Sequence, residues 1–331
     1  MKVTVLGSFG PYPPAGGTCS GYLLEEDGVF VLLDCGNGVL SQMQNFIAIK
    51  DLSAVILSHL HSDHTSDIFI LRYAWQAEMG LETELKPLSL YAPELPEEEF
   101  SRLPYKDVFK VEAVSAERIL RIGPFKFSFL QTIHSITCYA IKVETEWGEK
   151  FVYTADTGYF PELADFSRGA NLILSEANFL EEDLPQREAT HMSAAQAAAL
   201  AREAEAKGLL LTHLSAKRDP SRYLREARKI FTRVRLAEEG LTYSCDSEIP
   251  AGALEEATAG EDWIELAIET NPIRLSLIEG RLKSEGIPVM ISVESLGGIY
   301  GLTTGPLAER KIFVPPHYET EAKEILQGIG D

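Results

Sequence analysis

Ser58-His59-Leu60-His61-Ser62-Asp63-His64 follows the apolar run Ala54-Val55-Ile56-Leu57 and precedes a stretch that reads as a helix over 66–80. It therefore lies in the loop at the C-terminal end of a strand, where αβ folds place their chemistry. Four ligand-type side chains fall within six residues, in a chain with only seven histidines. His59 and His61 are two apart and can point the same way from an extended loop, and Asp63 and His64 then turn away. That spacing lets one pair serve one metal ion and the next pair a second. Imidazole together with carboxylate suits zinc, and also manganese or iron. The bland alternative is a solvated, histidine-rich loop, and the other histidines argue against it. His134 follows the strand-like run Phe127–Ile133, Asp156 ends Phe151–Ala155, and His213 ends Leu209–Thr212. Three more ligand types thus stand at strand ends, on the same edge as the first motif.

Composition bounds the rest. The chain has 331 residues, 45% hydrophobic and 24% charged, which is enough for a full core and for about two domains. Its 30 basic and 50 acidic residues give a net charge of −20, and the part after residue 250 carries six basic and 14 acidic residues. Neither part is basic, so a protein that grips long nucleic acid through its phosphates is not expected, although a small local basic patch is allowed. No apolar run approaches the roughly 18 residues of a membrane span. Met1 leads directly into strand-like 2–6 without a signal pattern, so a cytoplasmic protein with no membrane partner is expected. Cys19, Cys35, Cys138 and Cys245 form no CxxC and read as reduced thiols.

Strands are expected at 2–6, 20–25, 29–34, 54–58, 88–92, 108–113, 125–133, 139–146, 151–155, 172–176, 209–213, 233–236 and 241–245. Helices are expected at 38–48, 66–80, 97–103, 159–166, 193–206 and 220–231. Strands come first in runs and then alternate with helices, which implies a layered α+β architecture. Residues 250–262 are small, acidic and aperiodic, so they read as a linker between a domain at 1–249 and a small α+β domain at 263–331. The latter reads as strand, helix, strand, strand and helix near 263–268, 272–285, 288–293, 311–314 and 319–327, a compact ferredoxin-like or related module.

The ligand set, in this chain order, resembles the metallo-β-lactamase superfamily over residues 1 to about 245. The resemblance implies a four-layer αβ/βα sandwich and two divalent metal ions, mostly zinc, with manganese or iron as alternatives. By that resemblance His59, His61 and His134 hold one ion, Asp63, His64 and His213 the second, and Asp156 bridges them. Asp34, in Leu33-Asp34-Cys35-Gly36, matches a position that supports a ligand from behind. Two such ions lower the pKa of bound water to roughly 7, so that hydroxide exists at neutral pH, and Asp63 is placed to orient or deprotonate that water.

Departures narrow the branch. Asp156 stands where the classical β-lactamases have a cysteine, and His61 where flavodiiron enzymes have a glutamate. Ile133-His134-Ser135-Ile136-Thr137-Cys138 lacks the glycines of glyoxalase-like thioesterases. The chain looks more like the phosphodiesterase branch that contains ribonuclease Z and the cyclic-phosphate diesterases. Ser175-Glu176-Ala177-Asn178-Phe179 and Thr190-His191-Met192-Ser193 resemble segments of that branch in which a Glu–His pair gives a proton to the leaving oxygen. The plainer reading makes His191 the start of a helix capped by Ser193. Ser215, Lys217 and Arg218, with Arg222, are candidates for holding phosphate, or a solvated helix start. The glycine-rich segment Leu6–Gly10, continuing to Ala15–Thr18, is a structural loop or a backbone approach to substrate.

The resulting expectation is a dinuclear metal-dependent phosphodiesterase on a small or short-nucleotide substrate, with homodimerisation as an option. A thioesterase or lactonase on the same metals is the alternative, and a metal-bound sensor with the C-terminal module as output is a more remote one. Only 21 residues separate His134 from Asp156. They read as one hairpin with no room for a tRNA-gripping arm, so tRNA 3′ processing is disfavoured. Residues 263–327 resemble small prokaryotic domains described as signal-transducing, on Leu282–Pro288 and Phe313–Pro315, which implies a regulatory, dimerising or lid role. His317 there reads as a surface residue, and the Gly297-Gly298 to Gly305-Pro306 stretch as a ligand loop or a flexible turn.

Overall fold

The protein is seen in a computed structural model that describes residues 1–186, 190–247, 249, 264–269, 272–284, 287, 289–293, 310–314 and 318–328. It divides into two compact units, Met1–Leu254 and Glu255–Asp331. The expected linker at 250–262, the 297–306 glycine stretch and His317 lie outside the described residues.

The first unit pairs two seven-stranded sheets. The strands of one are β1 (Lys2–Gly7), β2 (Gly21–Glu26), β3 (Val29–Leu33), β4 (Leu52–Ile56), β5 (Leu88–Pro93) and β6 (Phe109–Val114). Those of the other are β7 (Leu120–Ile122), β8 (Phe125–Gln131), β9 (Tyr139–Thr145), β10 (Lys150–Tyr153), β11 (Leu172–Glu176), β12 (Leu209–Thr212) and β13 (Val234–Leu236). A last strand, β14 (Thr242–Ser244), returns to the first sheet beside β1. Helices α1 (Val39–Met43), α2 (Ser62–Thr65), α3 (Ile68–Leu81) and α4 (Glu97–Ser101) belong to the first half. Helices α5 (Pro161–Phe166), α6 (Ala194–Glu203) and α7 (Pro220–Arg228) belong to the second.

Sequence pattern dictates this layering. The meander strand β8 alternates Phe125, Phe127 and Phe129 inward with half-buried Lys126 and Ser128, the period-two pattern of a sheet with one wet face. By contrast β11 and β12 are buried at every position, as strands covered on both faces must be. The central core joins Val3, Tyr22, Val31 and Ile56 of one sheet to Phe127, Ile141, Phe151 and Leu174 of the other. Outer cores pack Leu71 and Trp75 of α3 on one flank, and Ala197, Ala201 and Tyr223 of α6 and α7 on the other. The four-layer helix–sheet–sheet–helix sandwich is thus the observed fold.

Each sheet begins antiparallel and switches to parallel pairing once, at β3–β4 and at β10–β11. Asp34 directly follows β3, and Asp156 follows β10. The chain turns sharply there: Asp34, Ala155 and His213 hold φ of 57°, 51° and 54°, the left-handed region that costs a non-glycine residue about 1–3 kcal/mol. All three lie at the strand ends that carry the ligands.

Two expectations are corrected. Asp63 and His64 are not in the loop itself but on the one-turn helix α2, and the His64 ring packs against that of His59 with centroids 4.1 Å apart. The helix expected at 38–48 spans only Val39–Met43, and strand β7 was not foreseen. Among the described residues no helix is long and apolar enough to cross a membrane.

In the second unit, β15 (Ile264–Glu269), α8 (Pro272–Ser284), β16 (Met290–Val293), β17 (Arg310–Val314) and α9 (Glu319–Gly328) follow the expected order. The antiparallel sheet runs β15-β17-β16, over a small core of Leu275, Ile278, Leu282, Ile312, Val314 and Ala322.

Candidate metal centre

The edge where the strands end brings seven ligand-type side chains together. His59, His61, His134 and Asp156 form one group, and Asp63, His64 and His213 another, each with one ligand atom per residue within 4.8 Å of the others. The loop and helix after β4 supply His59, His61, Asp63 and His64. The second sheet supplies His134, Asp156 and His213. Both groups are therefore built across the two halves of the sandwich.

In the first group, His61 Nδ1 lies 3.1 Å from His59 Nε2 and 3.1 Å from His134 Nε2. The far nitrogens explain why no proton holds these atoms together. His134 Nδ1–H donates to the carbonyl of Thr190 at 3.1 Å. Ser58 Oγ donates its proton to Asp34 Oδ2 at 2.8 Å, so it accepts from His59 Nδ1–H at 3.0 Å. The two Nε2 atoms are thereby left with lone pairs that converge with His61. Tetrahedral zinc with Zn–N of roughly 2.0–2.1 Å sets its nitrogens roughly 3.3 Å apart, so the spacing fits an ion. Burial, and then the neighbouring imidazoles, hold His59 well below the usual histidine range and lower His61 and His134 as well.

The second group is more acidic. Asp63 Oδ2 lies 3.2 Å from His213 Nε2 and 3.6 Å from His64 Nε2. Asp156 faces both groups: its Oδ2 is 3.4 Å from His213 Nε2, 3.7 Å from His59 and 3.9 Å from His134, and its Oδ1 is 3.5 Å from His64 Nε2. His64 Nε2 and Asp156 Oδ1 are buried with no hydrogen-bond partner, a costly state unless a cation sits between them. Behind them Asp34 is saturated. It accepts from Ser58 N (2.7 Å), Ser58 Oγ (2.8 Å), His64 Nδ1 (2.8 Å) and Tyr153 OH (2.8 Å). Holding the proton on His64 Nδ1 points Nε2 at the site. Burial alone would lower His64, but Asp156, Asp34 and Asp63 override it and push the imidazole well above its usual range. Burial likewise opposes ionisation of Asp156, and the imidazoles led by His213 and His64 hold it well below the carboxylate range.

Several positioning groups carried no recognisable signal in the sequence. Asn178 Nδ2 donates to the carbonyls of Gly10 and His213, at 3.1 and 3.0 Å. Gly10 itself is obligatory. A Cβ there would sit 2.0 Å from His213 Nε2, so the glycine-rich segment lets the backbone approach a ligand histidine. Tyr153, Ser58 and the Thr190 carbonyl were also missed as orienting groups.

His191 lies beside both groups. Its Nδ1 is 2.9 Å from Glu176 Oε1, and Glu176 is fully buried and also accepts from Thr157 N at 2.7 Å. Burial disfavours the imidazolium, but the Glu176 charge and hydrogen bond outweigh it and push His191 up to about 9. Ser193 caps α6 in a full capping box with Gln196. A cavity of about 660 Å³ is walled by Pro11, His61, Asp63, His134, Phe179 and His191, among others. Ser215, Lys217 and Arg218 line a neighbouring cavity of about 200 Å³. There the Arg218 guanidinium is held by Asp183 at 2.6 Å and Glu182 at 3.4 Å. Arg222 is bound to Glu182 at 3.0 Å.

The family described as "Beta-lactamase superfamily domain" matches residues 30–214. The chain belongs to the metallo-β-lactamase superfamily. Residues 263–330 match a family described as "Putative prokaryotic signal transducing protein". YhfI of Bacillus subtilis (strain 168), described as a probable metallo-hydrolase, is 38% identical over 244 residues, covering 73% of this chain and 99% of that protein. Its crystal structure superposes with a TM-score of 0.69 over 73% of this chain and 98% of that one, at 37% identity. A ribonuclease Z of Metallosphaera sedula is 27% identical over 285 residues, 70% of this chain and 94% of that protein. The crystal structure of the short form of human tRNase Z shares the fold, with a TM-score of 0.60 and 22% identity over 75% of this chain and 100% of that one. The chain is accordingly a metal-dependent hydrolase of this superfamily, related to ribonuclease Z, and its His/Asp clusters suit divalent ions.

Proposed function

We propose that the protein is a dinuclear metal-dependent phosphodiesterase acting on a small or short-nucleotide phosphodiester. In this reading His59, His61, His134 and Asp156 hold one ion, and Asp63, His64, His213 and Asp156 hold the other. Zinc is favoured by the imidazole-rich donor set, with manganese or iron compatible. When bound, the ions supply Lewis acidity and lower the pKa of the attacking water.

The observation that carries the phosphodiester assignment is the Glu176–His191 pair on the wall of the same cavity. An alkoxide leaving group needs a proton in the transition state. Glu176 occupies His191 Nδ1, so Nε2 is the nitrogen left for a substrate oxygen, and the Glu176 charge keeps the ring protonated at neutral pH. Asp63, partly exposed at the cavity, is placed to orient the water. The net charge of −20 favours small substrates over long nucleic acid.

The test uses zinc- or manganese-loaded protein with bis(p-nitrophenyl) phosphate, an alkyl phosphodiester and an acyl-thioester. Turnover of both phosphodiesters is expected. His191→Ala should slow the alkyl ester by about 10²–10⁴-fold and the activated aryl ester far less. Thioester turnover without phosphodiester turnover would overturn the reading. Equal loss on both phosphodiesters would remove His191 from the acid role.

A further inference from the structure

Three of the ligand imidazoles are aimed by a hydrogen-bond acceptor behind them: Ser58 Oγ for His59, Asp34 for His64 and the Thr190 carbonyl for His134. His213 is different. The group facing its Nδ1, at 3.3 Å, is the Asn178 amide nitrogen, itself a donor, whose two hydrogens go to the carbonyls of Gly10 and His213. Among the described residues no acceptor holds that nitrogen. The ring is held by packing instead. The His191 ring stacks on it with centroids 5.5 Å apart and an angle of 11°. The Gly10 backbone closes on it so tightly that a Cβ there would lie 2.0 Å from Nε2. A ligand aimed by packing is only as well placed as the backbone that packs it.

That backbone belongs to the loop 8–18 between β1 and β2. Near Gly10 it is tied to the segment after β12: Gly10 N donates to the Leu214 carbonyl at 3.1 Å, and Leu214 N to the Ser8 carbonyl at 2.9 Å. Its two stems meet where Phe9 N donates to the Thr18 carbonyl at 3.2 Å. One side chain from far along the sequence joins them again. Glu239, in the connection from β13 to β14, accepts from Thr18 N at 2.8 Å and also from Ser8 N. Glu239 is half-buried, and no cationic side chain is paired with it among the described residues. Burial raises its carboxyl above the usual range, and the two amides offset that only in part. An unpaired carboxylate withdrawn from water costs stability, so folding alone would favour a neutral residue there. What the charge provides is two charge-assisted hydrogen bonds, one on each stem of the loop.

We propose that Glu239 is a positioning residue for His213: by pinning Ser8 and Thr18 it holds the loop whose Gly10 backbone packs the imidazole toward the second ion. Glu239 lines neither cavity, so it acts through the loop and not on substrate. The proposal rests on the two-ion reading of the site and is independent of the substrate.

Chelator competition on the zinc-loaded full chain, read as the affinity of each bound equivalent, tests it apart from turnover. The native chain should hold two equivalents. Glu239→Ala should weaken one of them by about 10-fold, the low end for groups behind a metal ligand, and leave the other unchanged. Glu239→Gln, which keeps the shape and one acceptor oxygen, should weaken the same equivalent less. In Gly10→Ala, where one equivalent should remain, adding Glu239→Ala should not alter that ion's affinity, because both residues act through the same loop. A role in stability alone would lower the melting temperature of Glu239→Ala and leave both affinities native. That result, or equal weakening of both equivalents, would overturn the proposal. If Glu239→Ala does not fold, Glu239→Gln decides, and two native affinities there would overturn it. Fewer than two equivalents in the native chain would overturn the two-ion reading along with it.

Discussion

The two ligand clusters sit side by side, share Asp156 and use the same residue types, yet their electrostatics are opposite. Around His59, His61 and His134, burial and mutual proximity keep the imidazoles neutral, and the orienting partners are a serine hydroxyl and a carbonyl. Around His64 three carboxylates, Asp156, Asp34 and Asp63, pull the ring toward the imidazolium. Histidine alone thus does not define a site's character. In the proposed reading the neutral cluster would bind an ion through lone pairs that are already bare, and the acidic cluster through charge, with the ion replacing a proton.

The largest test removes what the clusters share. Asp156→Ala should lose both ion equivalents by elemental analysis and reduce hydrolysis to background. Retention of one full equivalent would show that the clusters are independent. Gly10→Ala should break the comparison on one side, because the three atoms nearest its Cβ all belong to His213. One ion equivalent should remain and activity should fall steeply, with the fold intact by circular dichroism. Asp34→Asn should weaken ion affinity by about 10- to 100-fold. The loss should be greater at the acidic cluster, since Asp34 touches His64 directly but reaches His59 only through Ser58. Competition with a chelator would read this, and equal loss at both clusters would blur the distinction.

The smallest expected change is a shift in pH profile. His191 is raised above its ordinary value by Glu176, so its proton is held at neutral pH and lost as pH rises through about 9. Activity should therefore fall on that alkaline limb. Glu176→Gln removes the anion and should move the limb to lower pH, and an unmoved limb would assign it to another group.

How much of this was legible follows from the range of each interaction. His59 to His64 announced themselves because an apolar strand led straight into a dense ligand cluster. Asp156 and His213 were visible as polar residues closing apolar runs. Glu176 and His191 stood out through their resemblance to a known branch, since nothing local ties residue 176 to 191. What stayed hidden was long-range and chemically ordinary. The hydroxyl of Tyr153 reaches Asp34 across 119 positions, and Arg218 meets Asp183 across 35. No local pattern carries either fact. The three-residue strand β7 is too short to show a period, and Asp63 and His64 were assigned to a loop because a one-turn helix has no periodicity of its own.

One consequence of the ligand origins concerns assembly. The first sheet's loop contributes four of the seven ligand side chains and the second sheet three, so each ion, once bound, fastens one half of the sandwich to the other. The only covalent link between the halves before β14 is the short connection from Val114 to Leu120. Cut there, the polypeptide becomes a pair of fragments whose reunion across the shared apolar core is strengthened by divalent ions, and at ion concentrations about 100 times the dissociation constant that fastening is worth about 2.7 kcal/mol per site. The catalytic centre then doubles as a clasp, and a chelator would act on this domain as a solvent for its seam.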